Sequence, residues 1–194
     1  HGTRRVTRTE HDGTITVIAD AFDGRPLNSP NDVIVAHDGG IWFTDPHYGI
    51  MTNYEGFAAE QENACVVYRV DPATGALDVM VGDMNCPNGL AFSPDEGRLY
   101  VADTGRMFTQ DAQEIRVYDM ADGRPVNGRH FHTIRPGCAD GIRVDSDGNL
   151  WSSAADGVHC IAPDGRLLGK ILVPELVSNL CFGGRAKHEL YITA

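Results

Sequence analysis

Cys86-Pro-Asn-Gly-Leu-Ala-Phe-Ser93 is followed, after a short charged turn, by Leu99-Tyr-Val-Ala-Asp103, and this coupling of two strand-like runs decides the fold. The same phrase recurs along the chain. Ser29-Pro-Asn-Asp-Val-Ile-Val-Ala36 precedes Ile41-Trp-Phe-Thr-Asp45, and Cys138-Ala-Asp-Gly-Ile-Arg-Val-Asp145 precedes Leu150-Trp-Ser-Ser-Ala154. Val177-Ser-Asn-Leu-Cys-Phe-Gly-Gly184 precedes Leu190-Tyr-Ile-Thr-Ala194. Internal repetition of this kind marks an architecture built from one supersecondary unit used several times.

Working outward, each of the first three pairs is followed by two more strand-like runs. These are 65–70 with 77–81, 115–119 with 129–134, and 157–162 with 167–172. Turn sequences separate them: Asp71-Pro-Ala-Thr-Gly75, Ala121-Asp-Gly-Arg124 and Pro163-Asp-Gly165. Four short antiparallel strands, repeated roughly every 40 to 60 residues, describe the blade of a β-propeller. No segment sustains an apolar period of 3.6 residues long enough for a major helix. The reading is all-β, one partial propeller domain over residues 1–194. It has three whole blades (29–85, 86–136 and 137–175) and two half-blades (3–19 and 177–194). Half-blades leave strand edges unpaired, which native sheets avoid, and the chain opens at His1 rather than Met. Both features predict a fragment of a longer propeller.

Bulk composition narrows the function. Hydrophobic residues make up 42% and charged residues 22%, the profile of a globular chain. A net charge of -11 repels phosphate backbones and anionic lipid, so neither nucleic acid nor membrane is expected as a partner. Nothing approaches the roughly 18 apolar residues of a spanning helix. Five cysteines, an odd number with no Cys-x-x-Cys pair, predict free thiols in a reducing, cytoplasmic compartment and disfavour a zinc site.

The third residue of each repeat carries the chemistry: Asn31, Asn88, Asp140 and Asn179. The innermost strand of a blade lines the central channel, so equivalent positions of successive blades converge at one height. Apolar side chains are expected there, yet the set is polar. Oxygen donors without thiol or imidazole suit a hard cation, calcium ahead of magnesium, manganese or zinc. Pro-Asn-Gly and Ala-Asp-Gly are also turn sequences, in which Asn or Asp simply accepts backbone hydrogen bonds. Strand direction puts the loops after the second strands on the same end: 45–63, 103–113 and 154–156. The first is long enough to be a lid or binding loop, which makes His47, Tyr48 and Tyr54 candidates for substrate contact.

At this point the motifs resemble the senescence-marker-protein / gluconolactonase / luciferin-regenerating-enzyme family of six-bladed propellers, in its gluconolactonase branch. The resemblance rests on His1-Gly-Thr-Arg-Arg-Val-Thr-Arg8, Asn28-Ser-Pro-Asn-Asp32, Ile41-Trp-Phe-Thr-Asp-Pro-His-Tyr-Gly-Ile50, Cys86-Pro-Asn-Gly-Leu-Ala-Phe-Ser-Pro-Asp-Glu96, Asp140-Gly-Ile-Arg-Val-Asp145, Gly148-Asn-Leu-Trp151 and Leu190-Tyr-Ile-Thr-Ala194. It implies a divalent cation held by a Glu, an Asn and an Asp. The last two fall on Asn88 and Asp140, Asn31 joins the metal shell or touches substrate, and the Glu position falls before His1. The animal members carry an Arg where this chain has Ser29, which predicts a different sugar contact.

The expected activity is calcium-dependent hydrolysis of a sugar lactone. Asp140 is the candidate catalytic base, with Asn88, Asp140 and Asn31 on the metal and Asn31, His47, Tyr48 and Asn179 on the substrate. Two other readings stay open: a phosphotriester hydrolase on the same metal site, and a propeller that binds without catalysis. No nucleophilic triad is readable, since none of the serines sits in a Gly-x-Ser-x-Gly elbow.

Overall fold

The computed structural model describes residues 2–105 and 113–194, so the expected second rim loop, 103–113, lies largely outside the described residues. The chain divides into two compact units, His1–Pro87 and Asn88–Ala194.

The first unit opens with a two-stranded antiparallel sheet, β1 (Val6–Thr9) and β2 (Ile15–Ala19), and a small hairpin, β3 (Ala21–Phe22) and β4 (Arg25–Pro26). A four-stranded meander follows: β5 (Val33–Val35), β6 (Ile41–Asp45), β7 (Val66–Val70) and β8 (Leu77–Val81), each strand pairing with the next. Trp42 through Asp45 on β6 are all buried because this strand is flanked on both sides. Tyr68 anchors the core, its ring 5.0 Å from Phe22 and 5.4 Å from Phe43, with Leu27, Val66 and Val70 around it.

One corner of this unit positions its loops. The buried Asp45 carboxylate accepts the amides of Asn28 and Ser29, each at 2.8 Å. Asn28, equally buried, turns its Nδ2 to the carbonyls of Asp45 (3.1 Å), Asn63 (3.1 Å) and Ala64 (3.3 Å). Both ends of the long loop after β6 are therefore tied to one side chain. The single short helix of the described residues, α1 (Tyr48–Met51), starts inside that loop, and Gly49 N–H donates to Ser29 Oγ at 2.9 Å. Ser29 itself donates to Pro46 O at 2.7 Å. The hydroxyl expected to alter sugar contact is thus fully buried and engaged within the fold.

The second unit holds two more four-stranded meanders. The first is β9 (Pro87–Phe92), β10 (Arg98–Asp103), β11 (Glu114–Ala121) and β12 (Arg124–His132). The second is β13 (Ile142–Val144), β14 (Leu150–Ala154), β15 (Gly157–Ile161) and β16 (Leu167–Leu172). The two-stranded β17 (Asn179–Gly183) and β18 (Glu189–Thr193) complete it. Tyr100, Ala102, Ile115 and Val117 of one meander pack with Ile142, Leu150 and Ile161 of the next. Val158 then packs with Leu180, Leu190 and Ile192 of the terminal pair. These are face-to-face blades, and the chain is all-β, a partial propeller of three four-stranded blades and two half-blades.

Strand boundaries depart from expectation in one instructive place. β12 begins at Arg124, not 129, because Asp122 and Gly123 (φ 50° and 73°) make a two-residue hairpin turn that pairs the strands from their first residue. Pro125 is tolerated because β12 is the edge of its sheet. The β3–β4 hairpin had no expected counterpart. No described helix is long and apolar enough to cross a membrane, and none of the five cysteines is in a disulfide.

Burial pushes the Asp45 carboxyl up to about 7, against the pull of the Asn28 and Ser29 amides and the Arg4 charge. Between its ordinary value of 3.8 and about 7, the folded chain keeps a proton that the unfolded chain releases. The stability from this group is therefore complete at the acid end and declines as pH rises through that window. Relative to Asp45→Asn, the unfolding free energy of the wild type should fall with rising pH, by up to about 1.4 kcal/mol per pH unit. Denaturant titrations of both proteins at several pH values check this, and a flat difference would contradict it.

Candidate active site

Pro-Asn-Gly and Ala-Asp-Gly are not turns in this fold. Asn88 and Gly89 lie inside β9, Asp140 and Gly141 lead directly into β13, and neither glycine has the left-handed φ of a tight turn. The glycines are required for another reason. Gly89 N–H donates to Asp140 O at 3.0 Å, joining the inner strands of adjacent blades. A Cβ at Gly89 would sit on that carbonyl oxygen. Gly141 N–H makes the same link to Ser178 O at 2.9 Å, and a Cβ there would collide with the Asn179 side chain. Without a side chain between them, three inner strands approach closely and bring Asn88, Asp140 and Asn179 side by side in the second unit.

Their electrostatic settings differ. Asn88 is 7% exposed, and its Oδ1 is buried with no hydrogen-bond donor among the described residues. A buried acceptor left unmatched costs about 1–3 kcal/mol, so this oxygen fits a place where an electropositive group from outside completes the site. Asp140, on the neighbouring strand, is only partly buried; its N–H donates to Ser153 Oγ at 2.9 Å, which braces it from the second strand of its own blade. Asn179 Oδ1 accepts the Leu180 amide at 2.8 Å, leaving its amide nitrogen as the group it can offer. An amide oxygen and a carboxylate on neighbouring strands are hard donors, matching an alkaline-earth cation better than a thiophilic one.

Asn31 belongs to the first unit. Its N–H donates to Thr44 O at 2.9 Å, and its half-buried side chain hydrogen-bonds to no described residue. Thr44 braces this strand entry much as Ser153 braces Asp140, since Thr44 Oγ1 accepts the Asp32 amide at 3.1 Å. Of the expected rim residues, Tyr48 donates its hydroxyl to Cys86 O at 3.0 Å. Tyr54 is 92% exposed. His47 is half-buried with Nδ1 3.2 Å from Cys65 Sγ and 3.8 Å from Cys86 Sγ, and burial lowers its imidazole below the usual range.

This grouping of His47, Cys65 and Cys86 was missed in the sequence, where the three stand alone in separate segments. The one signal that could have suggested it is that Cys65 and Cys86 each immediately precede a strand, β7 and β9. A shallow groove of about 440 Å³ lined by Ser93, Asp95, Arg98, Tyr100, Asp147 and Pro163 lies beyond the far end of β9 from Asn88 and takes no part in the polar site.

Residues 1–194 match the family described as SMP-30/Gluconolactonase/LRE-like region. The chain belongs to that family. Family membership was carried in the sequence by the Pro-Asn-Gly and Asp-Gly-Ile motifs, now seen as strand contacts. The chain is 36% identical over 190 residues to the gluconolactonase of Zymomonas mobilis, covering 92% of this chain and 51% of that protein. It is 29% identical over 198 residues to a lactonohydrolase of Aspergillus oryzae, covering 92% and 45%. The structure of a gluconolactonase from Xanthomonas campestris superposes on the whole chain with a TM-score of 0.93 at 42% identity, using 63% of that structure. This family member spans about half the length of the curated relatives it matches.

Gly89→Ala should destabilise the protein by roughly 1–3 kcal/mol, because the added methyl meets backbone that cannot step aside. Gly169→Ala on β16, where a Cβ meets nothing within 4 Å, should be neutral or slightly stabilising. Urea unfolding of both variants checks the contrast. Equal effects would mean that the blade-to-blade contact at Gly89 is not a real constraint.

Proposed function

We propose that the protein opens sugar lactones by water attack on the lactone carbonyl, at a site where Asn88 and Asp140 would hold a divalent cation, with calcium as the ion. The unmatched Asn88 Oδ1, one residue before the Gly89 amide that bonds to the Asp140 backbone, is the observation that carries this reading. The lactone-hydrolysing relatives, acting on gluconolactone by name in Zymomonas mobilis, supply the substrate class. The related regucalcin of Xenopus laevis, 27% identical over 190 residues, points by its name to calcium.

When bound, such an ion supplies a Lewis acid for the lactone carbonyl. The residues do the rest. Asn88 fixes one ligand oxygen without adding charge. Asp140 brings the negative charge and stands where it can take a proton from an attacking water; its strength lies in position rather than basicity. The proton then returns to the ring oxygen as the ester bond breaks, leaving an open-chain hydroxy acid. The Asn179 amide nitrogen orients a sugar hydroxyl.

Asp140→Asn in the whole protein should lower kcat on a glucono-lactone by roughly 10²–10⁴-fold with calcium in excess. Unchanged turnover would remove Asp140 from the reaction. Asn88→Ala should raise the calcium concentration needed for activity. In chelator it should leave the melting temperature near that of the wild type, because the variant loses an oxygen that had no donor. A large loss of stability in chelator would instead assign Asn88 a structural role.

A further inference from the structure

The His47, Cys65 and Cys86 cluster lies entirely in the first unit and has no part in the proposed lactone chemistry. Its three ligand atoms fall within 4.8 Å of one another. They come from three separate segments: the start of the long loop after β6, the residue before β7, and the residue before β9. Both thiols are buried, at 8% and 3% exposure, and the imidazole is half-buried, so the group has one open side.

Two features separate this cluster from an ordinary buried thiol pair. First, the spacing is that of a coordination shell. A tetrahedral zinc ion with Zn–S near 2.3 Å and Zn–N near 2.05 Å places sulfur and nitrogen about 3.6 Å apart. The observed Nδ1-to-Sγ separations of 3.2 and 3.8 Å bracket that edge. Second, neighbouring polar groups hold the ligands in place. Tyr48 holds the Cys86 carbonyl, and Gln61 Nε2 approaches Cys65 Sγ at only 3.5 Å, a weak contact for a sulfur acceptor.

We propose that His47 Nδ1 and the Cys65 and Cys86 sulfurs bind a thiophilic divalent cation of the zinc class, with three protein ligands and a fourth position open to water. Thiolate and imidazole donors select such ions over calcium, so this site is chemically distinct from the Asn88 and Asp140 oxygens. The ion would staple the two ends of the 46–64 loop to the residue that opens the next blade. Binding replaces two thiol protons by one metal ion, so two protons leave for each ion bound.

Cobalt(II) titration of the intact, reduced protein tests the site, because cobalt reports its ligands by colour. One equivalent should produce a sulfur-to-cobalt charge-transfer band and intense visible bands of a four-coordinate ion, both bleached by zinc, with about two protons released per ion. Cys65→Ser and Cys86→Ser should each abolish the charge-transfer intensity of the three-ligand site, and Cys160→Ser in another blade should leave it unchanged. Zinc should raise the melting temperature of the wild type, a readout that does not depend on the variants folding. A six-coordinate cobalt spectrum without sulfur bands, no proton release, or loss of binding in Cys160→Ser would each overturn the proposal.

Discussion

Gly89 and Gly141 mark the constraint on which the second unit depends: inner strands of successive blades must touch through their backbones. Each glycine amide bonds directly to a carbonyl of the next strand, at 3.0 and 2.9 Å, with no room for a side chain between. This contact sets the separation of the residues just before the glycines. Asn88 and Asp140 are neighbours because Gly89 is bonded to the backbone of Asp140. Hydrophobic packing of Tyr100, Ile115, Ile142 and Leu150 supplies the general attraction between the blades. The polar backbone bond supplies the register, which a non-directional force cannot.

The first unit solves a different problem, that of holding a long excursion on a short sheet. Asp45 and Asn28 do so reciprocally, the carboxylate taking two amides and the carboxamide reaching three carbonyls. Burying a carboxylate is unfavourable unless it is hydrogen-bonded and near opposite charge. Arg4 contributes that charge and donates to the carbonyls of Leu27 and Asn28 at 2.6 and 3.1 Å. A charged residue from the opening segment is in this way built into the root of the loop.

Much of this was legible from spacing alone. The recurrence of Asn31, Asn88, Asp140 and Asn179 at one phase located the inner strands, and the aromatic runs located their partners. Asp122-Gly123 signalled a two-residue hairpin, but the Pro125 and Asn127 beyond it obscured that the strand resumes at once. The structural reason for Gly89 and Gly141 was not legible, because a close approach between blades looks in one dimension like a turn. Cys65, Cys86 and His47 were illegible for a related cause. Zinc sites announce themselves when ligands come in local pairs, whereas these are gathered only when the loop folds back on its own blade.

The double anchorage of the 46–64 loop to Asn28 has an evolutionary corollary. When both feet of an excursion stand on the same side chain, the span between them can lengthen, shorten or change composition without disturbing the sheet beneath. Tyr54 and Phe57, 92% and 74% exposed, are part of that unburdened span. Diversification of what such a loop touches would thus be cheapest here, where new contacts can be tried while the blades stay as they are.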